Sequence, residues 1–573
     1  MDPCRRAAAT PEAFDRARKS NRKERMSSNS PSGIRAPRVR RRAALALAAS
    51  MTAAVAMTAC SHDSTDDSAS AAPGATRVSA GLQKLMSTAP WSSGQWGLQV
   101  ADLRTGKVVQ SKSADSQFMT GSTAKTFAVS AALDVLGDDH RFRTPVVHSG
   151  TVSADGRLSG DLIMVGSGDL ALGGRTTASG GLDVPDFDHY DANAVPGMAT
   201  VTEEDPLAGV DELARQVAAS GIRHVDGDVV IDNRLWDPVS IGGVPITPTI
   251  VNDNLIDVLV TPGAPGEPAK VDWRPKTAAF GVDAQVTTTP AGSKPTVTTE
   301  SVSPGHIRVR GSVPADAKAP FVTTYQVPDP AAFARTVLIE ALARNGVSVS
   351  APALGANPDS KLPASAEVNS MPVSATYTSP PFKEYAKLIN KVSHNLGANL
   401  LPPLMAAHNG QRTYADGMRI EKEFLTRAGV DPQAVSLVDA QGLPGDKATP
   451  SAQVALLRHL ARQDDFDVFY DSMPSMGVDG SLADVIGRTD PAAGHIRAKT
   501  GTLVSSYQGK LALGTKALAG YIDAKDGHRY AFAMYVNNIP VPSGSVSDAI
   551  DLALKANRQL GAMAAAVYES PKA

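Results

Sequence analysis

The chain has 573 residues, of which 20% are charged, and a formal net charge of −2; this length exceeds one hydrophobic core and predicts two or three domains. The charge is uneven, since residues 1–42 hold thirteen Lys or Arg against four Asp or Glu, a net of +9, which leaves −11 for the remainder from Cys60. A mildly acidic body excludes nucleic acid as the expected partner.

Arg38-Val39-Arg40-Arg41-Arg42 is followed by 17 uncharged residues, Ala43 to Ala59, and then Cys60. A basic flank, a short apolar core and small residues before the break predict an export signal. The core is too short and Ala-rich for a membrane span, which needs about 20 residues. The segment is also similar to a bacterial lipoprotein signal, which implies Cys60 as a lipid-bearing N-terminus, a membrane association through that lipid and a place on the outer face of the cytoplasmic membrane. Met57 departs from that pattern, where leucine is commonest, and the other reading is an ordinary secretory peptide with an incidental cysteine. Met26 is an alternative start. Cys4 and Cys60 are the only cysteines, so signal removal leaves at most one, which excludes an internal disulfide, a Cys nucleophile and a thiolate zinc site. Ser61 to Ala75 has no large apolar residue and reads as a flexible tether, spanning about 20 Å as a coil.

Structure is expected from Val78. Gly97 to Leu103 and Lys107 to Ser111 read as a hairpin across Arg104-Thr105-Gly106. Thr120-Gly121-Ser122-Thr123-Ala124-Lys125-Thr126 then delivers a serine to the start of a helix. No glycine or proline interrupts Thr123 to Leu136, and Ala128, Ala131, Ala132, Val135 and Leu136 supply an apolar face before Gly137. Ser122 and Lys125, three apart, share one side of that helix, so the amine reaches the hydroxyl proton. Free N–H groups at the helix start lie where an oxyanion needs donors. The spacing alone is weak evidence, because Ser20 and Lys23 in the basic tail repeat it.

From Arg141 to about Tyr325 short alternating runs predict mostly strand: Thr144 to His148, Asp161 to Val165, Gly227 to Asp232 and His306 to Arg310, with one helix near Leu207 to Ser220. Gly173 to Gly197 reads as loop. This region is expected to be material inserted into the first domain. Helices are predicted at Pro330 to Asn345, Pro381 to Val392, Pro450 to Gln463 and Asp548 to Glu569, with strands at Lys510 to Leu513, Ala517 to Ile522 and Tyr530 to Asn537. The two ends are expected to share one sheet. The resulting division is tail and signal 1–59, tether 60–77, a transpeptidase-like domain over 78–140 and 326–573, and inserted mostly-β domains over 141–325.

Ser393-His394-Asn395 and Lys499-Thr500-Gly501-Thr502 complete the pattern. With Ser122 and Lys125, in this order, they resemble the three signature elements of penicillin-recognising serine enzymes. Ser27-Ser28-Asn29 shows how cheaply Ser-x-Asn arises, but Lys-Thr-Gly occurs once, on a strand candidate. Ser122 and Ser393 are 271 residues apart, and an insertion of this size resembles the class C low-molecular-mass penicillin-binding proteins, the D-alanyl-D-alanine carboxypeptidase/endopeptidase family. Gly166-Ser167-Gly168-Asp169, Asp232-Asn233, Ser379-Pro380-Pro381 and Gly477-Val478-Asp479-Gly480-Ser481-Leu482 agree with it. Three stretches depart: Thr120-Gly121 stands where the family often has proline and alanine, Ala398-Asn399 where it has Ala-Glu, and Asp439-Ala440-Gln441-Gly442-Leu443-Pro444 where it has Asp-Gly-Ser-Gly-Leu-Ser.

The resemblance implies an α/β fold, the penicillin-binding-protein/β-lactamase-like sandwich of an antiparallel sheet flanked by helices, split by the inserted domains. It implies a serine DD-peptidase acting on peptidoglycan stem peptides through an acyl-serine, with β-lactams as covalent inhibitors, no cofactor and no metal. Ser122 would be the nucleophile, Lys125 its base, Ser393 a proton shuttle and Asn395 a holder of Lys125 and the substrate amide. Lys499 and Thr500 would bind the terminal carboxylate, Gly501 would let substrate approach the strand edge, and the N–H groups of Ser122 and Thr502 would form the oxyanion hole. Lys125 is a base only if neutral, and burial and the Lys499 cation are both expected to lower its pKa. His394 and His495 lack metal-ligand spacing and read as structural. The rival readings are a β-lactamase or esterase of the same fold and a slow envelope-binding protein.

Overall fold

A computed structural model describes residues 78–573; the export signal, Cys60 and the tether lie outside the described residues. The chain enters through a helix, Ala80–Ser87, and then an antiparallel hairpin of β1 (Gln95–Asp102) and β2 (Val108–Lys112). The hairpin turns where expected. Leu98 and Val100 point to one face and are fully buried, while Gly97 points to the other, where the Phe118 ring leaves no room for a side chain. The serine helix, Ala124–Leu136, follows. Ten of its thirteen residues are buried, Ala124 through Leu133, so it is a central helix enclosed on nearly every side rather than one with a single apolar stripe.

The chain then leaves for the insertion. Strands β3 (Arg143–His148), β4 (Leu162–Val165), β5 (Val229–Asp232) and β6 (Val373–Thr378) form one sheet in the order β6-β3-β4-β5. Helices Ala208–Ala219 and Pro330–Arg344 pack on it. Val146, Met164, Val210, Leu213, Ile231, Phe333 and Leu338 share one core there. One core thus joins the strands of 143–232 to the helix Pro330–Arg344, and one sheet joins them to β6. Helical periodicity shows that Pro330–Arg344 has an apolar face, but not which core receives it. The region also holds two three-stranded sheets, one of 255–261, 270–274 and 321–326 and one of 281–289, 298–303 and 306–314, a four-stranded sheet of 151–152, 157–159, 224–225 and 348–349, and a short pair, 240–241 with 244–245.

The loop expected at Gly173 to Gly197 ends in a buried charge cluster. Arg175 donates to both oxygens of Asp188, at 2.6 and 2.9 Å, and to Asp253 at 2.5 Å. His189 meets Asp257 through Nδ1 at 2.6 Å and Asp253 through Nε2 at 2.8 Å, and Arg274 reaches Asp257 at 3.1 Å. Burial opposes charge on His189, but Asp257 and Asp188 raise its pKa to about 10, so three cations face three carboxylates. Asp188, His189 and Asp253 are close enough to share an ion, yet Arg175 takes both Asp188 oxygens, Arg175 and His189 share Asp253 Oδ2, and both ring nitrogens are committed, which leaves only Asp253 Oδ1 without a partner. Asn252, Asp253 and Asn254 all adopt left-handed backbone, φ 50 to 56°, a strain the cluster must over-determine. Arg175→Met strands two carboxylates in the interior and should cost about 3–5 kcal/mol. Urea unfolding checks this, and a midpoint equal to that of wild type would contradict it.

Helices Phe382–Lys391, Asn395–His408, Tyr414–Arg427 and Pro450–Leu460 bring the chain back to the first domain. Strands β7 (Ile496–Tyr507), β8 (Lys510–Asp523) and β9 (Arg529–Pro540) and a terminal helix, Val546–Glu569, finish it. The sheet order is β2-β1-β9-β8-β7, antiparallel throughout, so the two ends share one sheet as expected. The terminal helix covers one face through Leu552, Leu560 and Met563. The serine helix and its neighbours cover the other. Strand β8 is continuous where two strands were expected, because Gly514 stays in it while the register with β7 shifts between Leu503 and Val504. Among the described residues no helix is long and apolar enough to cross a membrane.

Candidate active site

Three glycines from three distant segments set the geometry around Ser122, which sits in a 3-10 turn, Gly121–Thr123, just ahead of the serine helix. Gly121 has φ +49°, and a Cβ there would lie 2.9 Å from the Thr502 nitrogen. At Gly501 a Cβ would meet the Thr120 carbonyl at 2.4 Å, and at Gly442, φ +100°, it would meet the Gly121 carbonyl at 2.0 Å. Backbone therefore touches backbone at each crossing. The edge strand β7 and the 439–446 loop close on the serine turn from two sides.

Lys125 is fully buried and holds the center of this junction. Its Nζ lies 2.8 Å from Ser122 Oγ, 2.7 Å from Asn395 Oδ1 and 3.0 Å from the Gln441 carbonyl. Two of these partners are oxygens that only accept. A neutral amine has two hydrogens and one lone pair, so with both hydrogens committed to Asn395 and Gln441 the lone pair faces the Ser122 hydroxyl. Burial lowers the Lys125 pKa to about 8, against the pull of Asp191, Asp439 and Asp446. The expected contribution from Lys499 falls the other way, with the Lys125 cation depressing Lys499.

Asn395 opens the helix Asn395–His408, and His394 is its N-cap, with Nδ1 accepting from the Gly397 N–H at 3.0 Å. An accepting Nδ1 leaves the hydrogen on Nε2, which faces Asp253 at 3.3 Å. His394 is thus structural, as read from the sequence, and it ties the Ser-x-Asn turn to the charge cluster of the insertion. Ser393 is half-buried with φ +65°, strained backbone of the kind stored at functional sites. Its hydroxyl makes no hydrogen bond among the described residues. His495 stacks on Tyr568, with ring centroids 5.2 Å apart.

On β7, Lys499 and Gly501 point toward the serine helix and Thr500 and Thr502 to the opposite face. Lys499 is fully buried and donates to the Thr500 carbonyl at 2.9 Å. Burial, Lys125 and Lys516 hold its pKa well below the usual lysine range, against Asp191. Thr500 Oγ1 is 3.2 Å from Ser481 Oγ. Ser122, Lys125 and Asn395 are therefore directly bonded, and Gly501 and Thr502 abut the serine turn.

Two contributors escaped sequence reading. Asp191 comes from the insertion, and burial and Asp188 raise its pKa to about 6, while His394, Lys125 and Lys499 act against them. The Gln441 carbonyl is aimed by Asp439, whose Oδ1 accepts the N–H groups of Gln441 and Gly442 at 2.8 and 2.9 Å. The signal for the second was present, since Asp-x-x-Gly marks such a turn. Asn399, where the family often has glutamate, accepts from Tyr414 at 3.0 Å and from the Ala440 N–H at 3.3 Å. It anchors the same loop.

Helix-flanked sheet, insertion and the three-motif cleft together are the arrangement of the penicillin-recognising serine enzymes. The chain belongs to the D-Ala-D-Ala carboxypeptidase 3 (S13) family, which residues 78–557 match. The resemblance read from the motifs is therefore correct, and the enzyme class it implied, a serine-type D-Ala-D-Ala carboxypeptidase, is that of the family. The D-alanyl-D-alanine carboxypeptidase of Actinomadura sp. (strain R39) is 30% identical over 486 residues, 80% of each chain. The D-alanyl-D-alanine carboxypeptidase DacB of Haemophilus influenzae is 22% identical over 460 residues, 77% of this chain and 85% of its own. A crystal structure of penicillin binding protein 4 (dacB) from Haemophilus influenzae shares the fold, with TM-score 0.60 and 20% identity over 83% of this chain and 99% of its own. That protein has also been solved with a β-lactam, at TM-score 0.58.

Proposed function

We propose that Ser122 is the acylating residue of this DD-peptidase and Lys125 its general base. Ser122 Oγ attacks the carbonyl of the penultimate D-alanine while its proton passes to Lys125 Nζ. The oxyanion forms at the N–H groups of Ser122 and Thr502. The C–N bond then breaks, the proton reaches the leaving amine through Ser393, and water cleaves the ester in a second step. Asn395 holds Lys125 and the substrate amide. Lys499 and Thr500 take the terminal carboxylate, and Gly501 keeps the β7 edge open to the substrate backbone. The observation that carries this reading is the set of three contacts at Lys125, which leave an uncharged amine only one useful direction, toward Ser122.

Peptidoglycan stem peptides ending in D-Ala-D-Ala are the substrate, and β-lactams acylate the same serine by mimicking them. Ala43 to Ala59 exports the chain, and a lipid on Cys60 holds the catalytic domain at the outer face of the membrane. Mass spectrometry of the mature N-terminus tests the anchor, and an unmodified residue there removes it. Incubation with a D-Ala-D-Ala peptide and, separately, with labelled penicillin tests the chemistry. The expected results are released D-alanine and a label on the peptide bearing Ser122. Label on another residue, or fast turnover of penicillin with no release of D-alanine, would overturn the assignment.

A further inference from the structure

Lys516 is a buried lysine that the mechanism above does not use. It stands on β8 directly opposite Thr502 of β7, so its side chain shares a face with Thr500 and Thr502, on the opposite side of the sheet from Lys499. It is 4% exposed, and its Nζ donates to Thr502 Oγ1 at 2.7 Å. Lys125 and Lys499 are fully buried too. Among the described residues none of the three lysines forms an ion pair with a carboxylate. A buried lysine without a counter-ion is costly while it is charged, and Lys125 is explained by its role as base. The other two have only a backbone carbonyl and a hydroxyl as partners.

β7 is the edge strand of its sheet, so an anion at that edge lies between the face that carries Lys499 and the face that carries Lys516. Accepting from Lys516 leaves the Thr502 hydroxyl its own hydrogen to donate, and Thr502 is exposed. Resting on the peptidase reading, we infer that Lys516 and the Thr502 hydroxyl form the second half of a two-cation carboxylate site with Lys499 and Thr500, one that selects substrates with a free C-terminal carboxylate. A carboxylate offers two oxygens with about four acceptor positions, enough for two ammonium groups and two hydroxyls. A peptide amide in the same place brings no charge to pair with either ammonium group. The chain is accordingly a carboxypeptidase in preference to an endopeptidase. Burial, which lowers the Lys516 pKa to about 7, makes that side chain responsive to an arriving anion.

The test compares an N-acylated D-Ala-D-Ala peptide with the same peptide amidated at its C-terminus, using the purified full chain, Lys516→Met and Lys516→Arg. Wild type should prefer the free acid. Lys516→Met should lose about tenfold to a hundredfold in kcat/KM on the acid, through KM, with a loss on the amide at least tenfold smaller. Lys516→Arg should restore the preference. Equal losses on both peptides make Lys516 a structural residue and overturn the inference, as does a wild type indifferent to the terminal group. A wild type that cleaves neither peptide overturns the peptidase reading and this one with it.

Discussion

Lys125→Met should fold and yet acylate at least about 10³-fold more slowly than wild type. No other group hydrogen-bonds Ser122 Oγ among the described residues, and methionine fills the same buried volume without a lone pair to receive the proton. The pH dependence separates loss of a base from loss of shape. With a folded pKa of about 8, Lys125 is protonated below that value and unable to accept. At saturating penicillin the acylation rate of wild type should rise with pH through about 8 and level off above it. The residual rate of Lys125→Met should be flat over the same range. The linkage to stability has the same sign. Lys125 binds its proton less tightly folded than unfolded, so the penalty of burying it is full below about 8 and is relieved as pH climbs toward the ordinary lysine value of 10.5. Timed uptake of labelled penicillin from pH 6 to 10 reads the kinetic part. A wild-type rate that falls across that interval, or a methionine variant that acylates normally, would falsify the base assignment.

Gly442→Ala is expected to be the most damaging single methyl group in the cleft. Gly442 has φ +100°, and its Cβ would stand 2.0 Å from the Gly121 carbonyl oxygen and 2.2 Å from the carbonyl carbon. Both atoms are backbone, so no flexible side chain can yield. The 439–446 loop must move away from the serine turn and carry the Gln441 carbonyl off Lys125. A loss of about 2–4 kcal/mol in stability is expected from strain and clash together, with acylation slowed about a hundredfold by the displaced amine. Gly429→Ala is the reference, since Gly429 has φ +79° but nothing within 4 Å of its Cβ. It should cost about 1 kcal/mol in backbone strain and leave acylation unchanged. Calorimetry with penicillin labelling checks both. Normal acylation by Gly442→Ala would show that the contact does not position Lys125.

What could be read in the sequence is what short-range rules govern. The β1–β2 hairpin, the serine helix and the terminal helix were visible because periodicity and turn chemistry act within a few residues. Continuity of β8 through Gly514 was not, because a glycine inside a strand looks the same as one that ends it until the partner strand is known. The helix Asn395–His408 was missed for a related reason. Its Pro402 and Pro403 argue against a helix, and only its packing against Tyr414–Arg427 overrides them, where Gly417 lets the Pro402 carbonyl approach to within 1.9 Å of a notional Cβ.

For the cleft, the sequence by itself determined which reactive groups exist and in what order: Ser122 and Lys125, Ser393 and Asn395, then Lys499 to Thr502. Residue chemistry and local spacing are enough for that. Only the tertiary structure decided that Lys125 is buried with its pKa lowered to about 8, that the Gln441 carbonyl meets its amine, and that His394 ties the cleft to Asp253 of the insertion. Burial and direction are properties of neighbors hundreds of residues away, and a backbone carbonyl has no side chain by which a sequence could announce it.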